Sequence, residues 1–343
     1  MLALDDRIRV FASIGTVLKN LSAGEQSEIA ARAQSENPWF TEENIITAKE
    51  GLEQYLNEDK LRSWTKELPP KPSSVKKFGL VMAGNIPWVG FHDFLTVLIS
   101  GQHVFAKPSS QDSFLMRYVA NLITELEPQF EPYITFVDKL NTADAIIATG
   151  SDNSSRYFEY YFSKYPHIIR KNRSSVAVLT GDESRDELYA LGQDIFQYFG
   201  LGCRNVSKLL VPEDYDFTPL FQALEPYQSV AYHHKYNNNY DYNKSIYLVN
   251  REPFLDTGFA LFRQSDQLVS PISVVYYEPY KTQEEVSQKL IASEQKIQCV
   301  VASQPLYPEQ VNHVTFGKAQ QPELWDYADG VNTLDFVQSV SQK

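Results

Sequence analysis

A chain of 343 residues is too long for one ordinary core and too short for three large domains, so two lobes are expected. A hydrophobic share of 43% suits a globular protein. A formal charge of -12, with no stretch concentrating Lys and Arg, excludes nucleic acid and anionic membrane surfaces as natural partners and leaves small molecules.

The opening MLALDDRIRV carries acids where a signal peptide needs a basic patch, and no run approaches the roughly 18 apolar residues of a membrane span. A soluble cytoplasmic protein is therefore expected. Residues 1–66 read as helical. Ile8, Phe11, Ile14, Leu18 and Leu21 recur at helical spacing, and Asn37-Pro38 breaks the chain before Thr41 caps a second helix. LPPKPSS (68–74) is a stiff linker, since its prolines continue neither a helix nor a central strand.

From Phe78 short apolar runs alternate with helical ones. Strand FGLVMAG is followed by helix PWVGFHDFLTVLIS with Gly101 as its cap, strand HVFAKP, and helix QDSFLMRYVANLITEL. Strands YITFVD and ADAIIATG and helix NSSRYFEYYFSKY come next. A similar unit then opens with strand SVAVLTG, helix SRDELYALGQDIFQYFG and strand VSKLLVP. This alternation predicts an α/β protein of two Rossmann-like lobes, each a mainly parallel sheet covered by helices. The expected segments are a helical 1–66, a lobe 67–172, a second lobe 173–314 and a C-terminal segment 315–343.

Ser184 and Glu187 have capping-box spacing, and Leu188, Leu191, Ile195 and Phe199 form the apolar stripe of a helix that Gly200 ends. AYHHKYNNNYDYNKSIYLV, rich in Asn and Tyr, reads as a surface loop or hairpin. SPISVVYYEPY and KIQCVVAS supply further strands around helix TQEEVSQKLIASE.

The two cysteines lack metal-ligand spacing, so reduced thiols are expected, with neither a disulfide framework nor a metal site. Cys299, inside IQCVV, reads as core. Cys203, in FGLGCRNV, is open to two readings: a buried small hydrophobe, or a nucleophile flanked by glycines and by Arg204. His233 and His234 lie in the polar stretch, and no Cys-His pair is evident. G-x-G-x-x-G and the phosphate loop are both absent. Lys107 and Gly150-Ser151 nonetheless fall at strand ends, where open α/β sheets bind ligands.

Taken in order, AGNIPW, GQHVFAKPSS, ATGS, GLGC and SPISVVYYEPY resemble the aldehyde dehydrogenase superfamily over most of residues 78–335. The chain looks closest to the acyl-CoA reductase branch, which includes the fatty acid reductase of bacterial bioluminescence systems, and QPELWDYADGVNTLDF is similar to that branch too. The resemblance implies Cys203 as the nucleophile that forms a thioester and Asn85 as an oxyanion donor. It implies Lys107 at the adenosine ribose of the cofactor and Gly150 and Ser151 near its phosphates. Where the family commonly has a glutamate at the ribose, this chain has Ser110, which permits NADPH beside NADH with Lys107 as counter-charge. Gln267 stands where another family glutamate meets the nicotinamide ribose. The acid that activates water in oxidising members is missing from HIIRKNRSS.

The expectation is thus an NAD(P)H-dependent acyl-CoA reductase that forms an aldehyde through an acyl-cysteine. The alternatives are another aldehyde dehydrogenase-type oxidoreductase or a catalytically idle scaffold of the same fold. The partner is an acyl-CoA or related thioester, and both a homo-oligomer and a partner acyl-transfer enzyme are compatible with the family.

Overall fold

The structure, a computed structural model, describes residues 2–140, 142–304 and 312–342. The chain divides into two compact units, Met1–Asn172 with Glu323–Lys343, and Arg173–Pro322.

The first unit opens with α1 (Leu4–Lys19), α2 (Ala23–Glu36), α3 (Glu42–Tyr55) and α4 (Glu58–Trp64). Ile8, Phe11, Ile14 and Leu18 are buried along α1 as their spacing requires. Thr41 caps α3 by accepting the Asn44 N–H. The single helix anticipated before Asn37 is two, because Ser22 and Glu25 form a capping box that starts α2 afresh.

Next come β1 (Lys77–Val81), α5 (Phe91–Ile99), β2 (His103–Lys107), α6 (Ser113–Leu126), β3 (Ile134–Phe136), β4 (Ala145–Thr149), α7 (Asp152–Phe162) and β5 (His167–Arg170). After α5, Gly101 adopts φ 76° and the Gln102 N–H reaches back to the Val97 carbonyl, a left-handed stop suited to glycine. The five strands are parallel in the order β3-β2-β1-β4-β5. The chain winds outward from β1 through β2 to β3 and then resumes on the other side of β1 with β4. The winding direction therefore switches between β1 and β4, the point of an open α/β sheet beside which ligands bind at the carboxyl ends of the strands.

The second unit contains β6 (Ser174–Val178), α8 (Arg185–Phe196), β7 (Val206–Pro212), α9 (Thr218–Leu224), α10 (His234–Asn250), β8 (Leu255–Asp256), β9 (Leu261–Gln264), β10 (Val274–Tyr280), α11 (Gln283–Ala292), β11 (Ile297–Val301) and β12 (His313–Val314). Its sheet runs β12-β11-β6-β7-β10-β9-β8, parallel apart from β8 against β9. β6 and β11 are buried along their whole length, and they bury Ser174, Ser175 and Gln298 along with their apolar residues. Val176, Val178 and Leu210 from the sheet pack with Val286 and Leu290 of α11. The last helix, α12 (Thr333–Ser341), belongs to the first unit, where Phe336 meets Phe78 edge-on at 6.3 Å.

Two further expectations fail locally. AYHHKYNNNYDYNKSIYLV is not a loop or hairpin, since most of it forms α10. Tyr236, Tyr240, Asn243 and Tyr247 recur at helical spacing and are the residues that helix buries. α8 also stops at Phe196, short of Gly200. Tyr198, Phe199 and Gly200 all take positive φ (52°, 57° and 76°), so Phe199 is part of a left-handed turn and not of a helical stripe.

Candidate active site

Each unit presents a separate group of the residues singled out from the sequence. In the first, the turn after β1 carries Asn85, β2 ends on Lys107, and β4 ends just before Gly150 and Ser151. β1 lies between β2 and β4, with Val81 opposite Lys107 and opposite Ala148, so all three sequence positions share one sheet edge beside the switch in winding.

The Asn85 turn is held from several sides. Met82 N–H donates to the Lys107 carbonyl at 3.1 Å, and the buried Asn37 amide donates to the Gly84 carbonyl at 3.1 Å. A Cβ on Gly84 would lie 2.6 Å from Ser109, so only glycine lets the turn approach the loop that carries Ser110. Trp88 sits at φ 54°, a conformation that costs a bulky residue on the order of 1–2 kcal/mol, and is fixed by its indole N–H on the Leu115 carbonyl. Asp112 lies fully buried behind this turn, where burial pushes its carboxyl well above the usual range. Lys107 is half-buried and Ser110 exposed. Ser151 caps α7, its hydroxyl accepting the Ser154 N–H, and a Cβ on Gly150 would press to 2.8 Å from Phe158.

In the second unit Cys203 is exposed, on a tight turn between the left-handed Tyr198–Gly200 segment and β7. Its carbonyl accepts from the Ser175 hydroxyl at 3.2 Å, and the same hydroxyl lies 3.1 Å from the Cys299 sulfur. Cys299 is fully buried, as its apolar run implied, and burial pushes its thiol up to about 11 against the opposing charge of Arg204. Arg204 is itself buried. His233 accepts the Tyr236 N–H as the cap of α10 and lies against the Phe199 ring at 4.4 Å.

Behind the turn a cavity of about 30 Å³ is bordered by Phe199, Gly200, Asn205, Tyr236, Ser270 and Ser273. That volume suits a water or two. Gln267 is exposed in the loop between β9 and β10. The loop is tethered where Lys208 donates to the Asp266 carbonyl at 3.0 Å, and Lys208 and Lys289 both pair with Glu278. No described group of three His, Cys, Asp or Glu side chains is arranged to hold a metal ion, and no described helix is long and apolar enough to cross a membrane.

No protein-family model and no curated protein sequence matches the chain. Solved structures do. The NAD-dependent aldehyde dehydrogenase of Sinorhizobium meliloti aligns at 12% identity over 88% of this chain and 70% of its own, with a TM-score of 0.67. An aldehyde dehydrogenase of Bacillus cereus in complex with NAD+ aligns at 14% identity over 88% and 72%, TM-score 0.62. Aldehyde dehydrogenase 21 of Physcomitrella patens, in complex with succinate, aligns at 11% identity over 99% and 85%, TM-score 0.70. The chain has the aldehyde dehydrogenase fold.

Within the aldehyde dehydrogenase fold, three further residues support the cysteine turn and were not singled out from the sequence. Asn205 is buried and spans the turn with its side-chain amide. Asp194 is buried in α8 and accepts the N–H groups of Gly317 (2.7 Å) and Ala319 (2.9 Å). Gln320, next along that segment, sits over Gly202, its amide 3.7–3.8 Å from where a Cβ would stand. One signal was present for Asp194: it follows Leu191 by three positions and precedes Ile195, an acid inside an apolar stripe.

Proposed function

We propose that the protein is an NADPH-dependent reductase of acyl-CoA or a related acyl thioester, releasing an aldehyde. The observation that carries the reading is an exposed cysteine on a constrained turn of an aldehyde dehydrogenase fold, in a chain whose 167–175 segment offers no acid to activate water.

The Cys203 thiolate attacks the thioester carbonyl, and the coenzyme A thiolate departs with the electron pair of the broken C–S bond, leaving an acyl-cysteine. The Cys203 backbone N–H is the donor proposed for the oxyanion. A nicotinamide cofactor, which Lys107, Gly150 and Ser151 would hold, would supply the hydride for reducing the acyl group. Cys203 then holds a thiohemiacetal, whose collapse releases the aldehyde and restores the thiolate. Without an acid in HIIRKNRSS, the acyl group waits for hydride and not for water. The buried charge in that segment, Arg170, is neutralised by Asp93 and bonds Thr333.

The first unit suits the cofactor on three counts. The β1–β4 switch lies at the strand ends where open α/β sheets bind ligands, Gly84 lets the turn after β1 approach the Ser109 loop, and Gly150 lets the chain turn closely into α7. The amides at the start of α7 suit a pyrophosphate. At the ribose position Ser110 stands where the family commonly has a carboxylate, beside Lys107, which permits NADPH as well as NADH.

The test follows NADPH and NADH absorbance with acyl-CoA substrates of graded chain length, in wild type and Cys203→Ala. Acyl-CoA-dependent NADPH oxidation that disappears in the variant is expected. Oxidation that survives in Cys203→Ala contradicts the mechanism, aldehyde-dependent reduction of NAD+ to a free acid supports an ordinary dehydrogenase, and silence at every chain length supports a scaffold.

A further inference from the structure

We propose that Asn205 is the positioning residue of the cysteine turn, fixing the backbone that presents the Cys203 thiol and amide. The proposal rests on the reading of Cys203 as the nucleophile.

The turn is costly to hold. Tyr198 and Phe199 occupy the left-handed region in succession before Gly200, and such conformations persist only where their surroundings enforce them. Asn205 grips both ends of that segment. Its Nδ2 donates to the Gln197 carbonyl at 2.7 Å, just before the left-handed residues, and lies 3.3 and 3.4 Å from the Asp194 and Ile195 carbonyls at the end of α8. Carbonyls in the last turn of a helix run out of intrahelical donors, so the amide closes the helix end as well. Its Oδ1 accepts the Gly202 N–H at 2.7 Å, and its backbone N–H donates to the Gly202 carbonyl at 3.2 Å.

One side chain therefore spans residues 198–201 and fixes the residue before Cys203. The glycine at 202 follows from this, because a Cβ there would stand 2.8 Å from Asn205 Oδ1. The far side of α8 is anchored in turn, with the Asp194 carboxylate holding the amides of Gly317 and Ala319.

Two variants probe the clamp in opposite ways: Asn205→Ala removes it, and Gly202→Ala displaces it while every hydrogen-bonding group remains. In the full-length protein, amide hydrogen exchange in a peptide covering 198–205 is expected to quicken at least tenfold in both, with 206–212 unchanged. Cys299 should stay closed to iodoacetamide, which reports an intact second unit. With acyl-CoA and NADPH, kcat should fall at least tenfold while the KM for NADPH holds. Unchanged exchange at 198–205, or loosening shared equally by 206–212 and Cys299 in both variants, overturns the proposal. Should Asn205→Ala fail to fold, Gly202→Ala decides. If wild type reduces no acyl-CoA yet exchange responds as stated, the function reading falls and the clamp stands.

Discussion

Cys203 and Cys299 lie on either side of the Ser175 hydroxyl, one through its carbonyl and one through its sulfur, yet only Cys203 reaches solvent. Iodoacetamide should therefore label Cys203 in the native protein and leave Cys299 intact until urea unfolds the second unit, as peptide mass spectrometry will read. Equal labelling of both would contradict the burial of β11. Asp194 gives a second prediction. Burial raises its carboxyl from 3.8 to about 7, although two backbone amides and Lys318 favour the charged form. The folded protein thus holds that proton more tightly than the unfolded chain. Its contribution to stability is present below about pH 4 and is lost as pH rises to about 7, by up to roughly 4 kcal/mol. Among the described groups, Tyr227 and Cys299 also sense Asp194, and both remain neutral across that window. Urea melts of wild type and Asp194→Asn should diverge between pH 4.5 and 8, wild type losing stability relative to the variant. Parallel curves would contradict the assignment.

The helices show where the sequence was legible. Ser184 and Glu187 form the capping box their spacing announces, and Thr282 caps α11. Such signals involve neighbours three residues apart, so the sequence alone carries them. α10 was illegible because its stripe is built of Tyr and Asn, residues common in loops, and becomes a buried face only when Tyr247 meets Phe254 and Asn243 meets the Ile272 carbonyl. Tyr247→Ala should cost about 3 kcal/mol in urea denaturation, whereas Tyr242→Ala, on the exposed face, should stay within about 0.5. Equal effects would contradict the helical register. The end of α8 was illegible for a related reason. A glycine stop was readable at Gly200, but nothing in the spacing marked the two left-handed aromatics before it, or the Asn205 amide beyond the turn that bonds the Gln197 carbonyl and the Gly202 N–H.

At the scale of the whole molecule, the alternation of strand and helix disclosed both parallel sheets, and the switch between β1 and β4 explains why Asn85, Lys107 and Gly150 share one edge. The rule of ligands at carboxyl ends does not extend to Cys203, which precedes β7, and pattern reasoning alone had no means of placing it. The return of α12 to the first unit was likewise hidden, since it depends on Arg170 joining Asp93 to Thr333 and on Phe336 meeting Phe78. Arg170→Met strands the buried Asp93 and should destabilise the first unit by roughly 3 kcal/mol, while Cys299 in the second stays protected from alkylation. The central claim, that Cys203 stores an acyl group for hydride, is tested most directly by the mass of the Cys203 peptide after incubation with acyl-CoA. The expected result is an acyl adduct on Cys203 that persists without NADPH and disappears, with aldehyde released, when NADPH is added. Absence of the adduct, or its rapid loss as free acid without NADPH, would contradict the account.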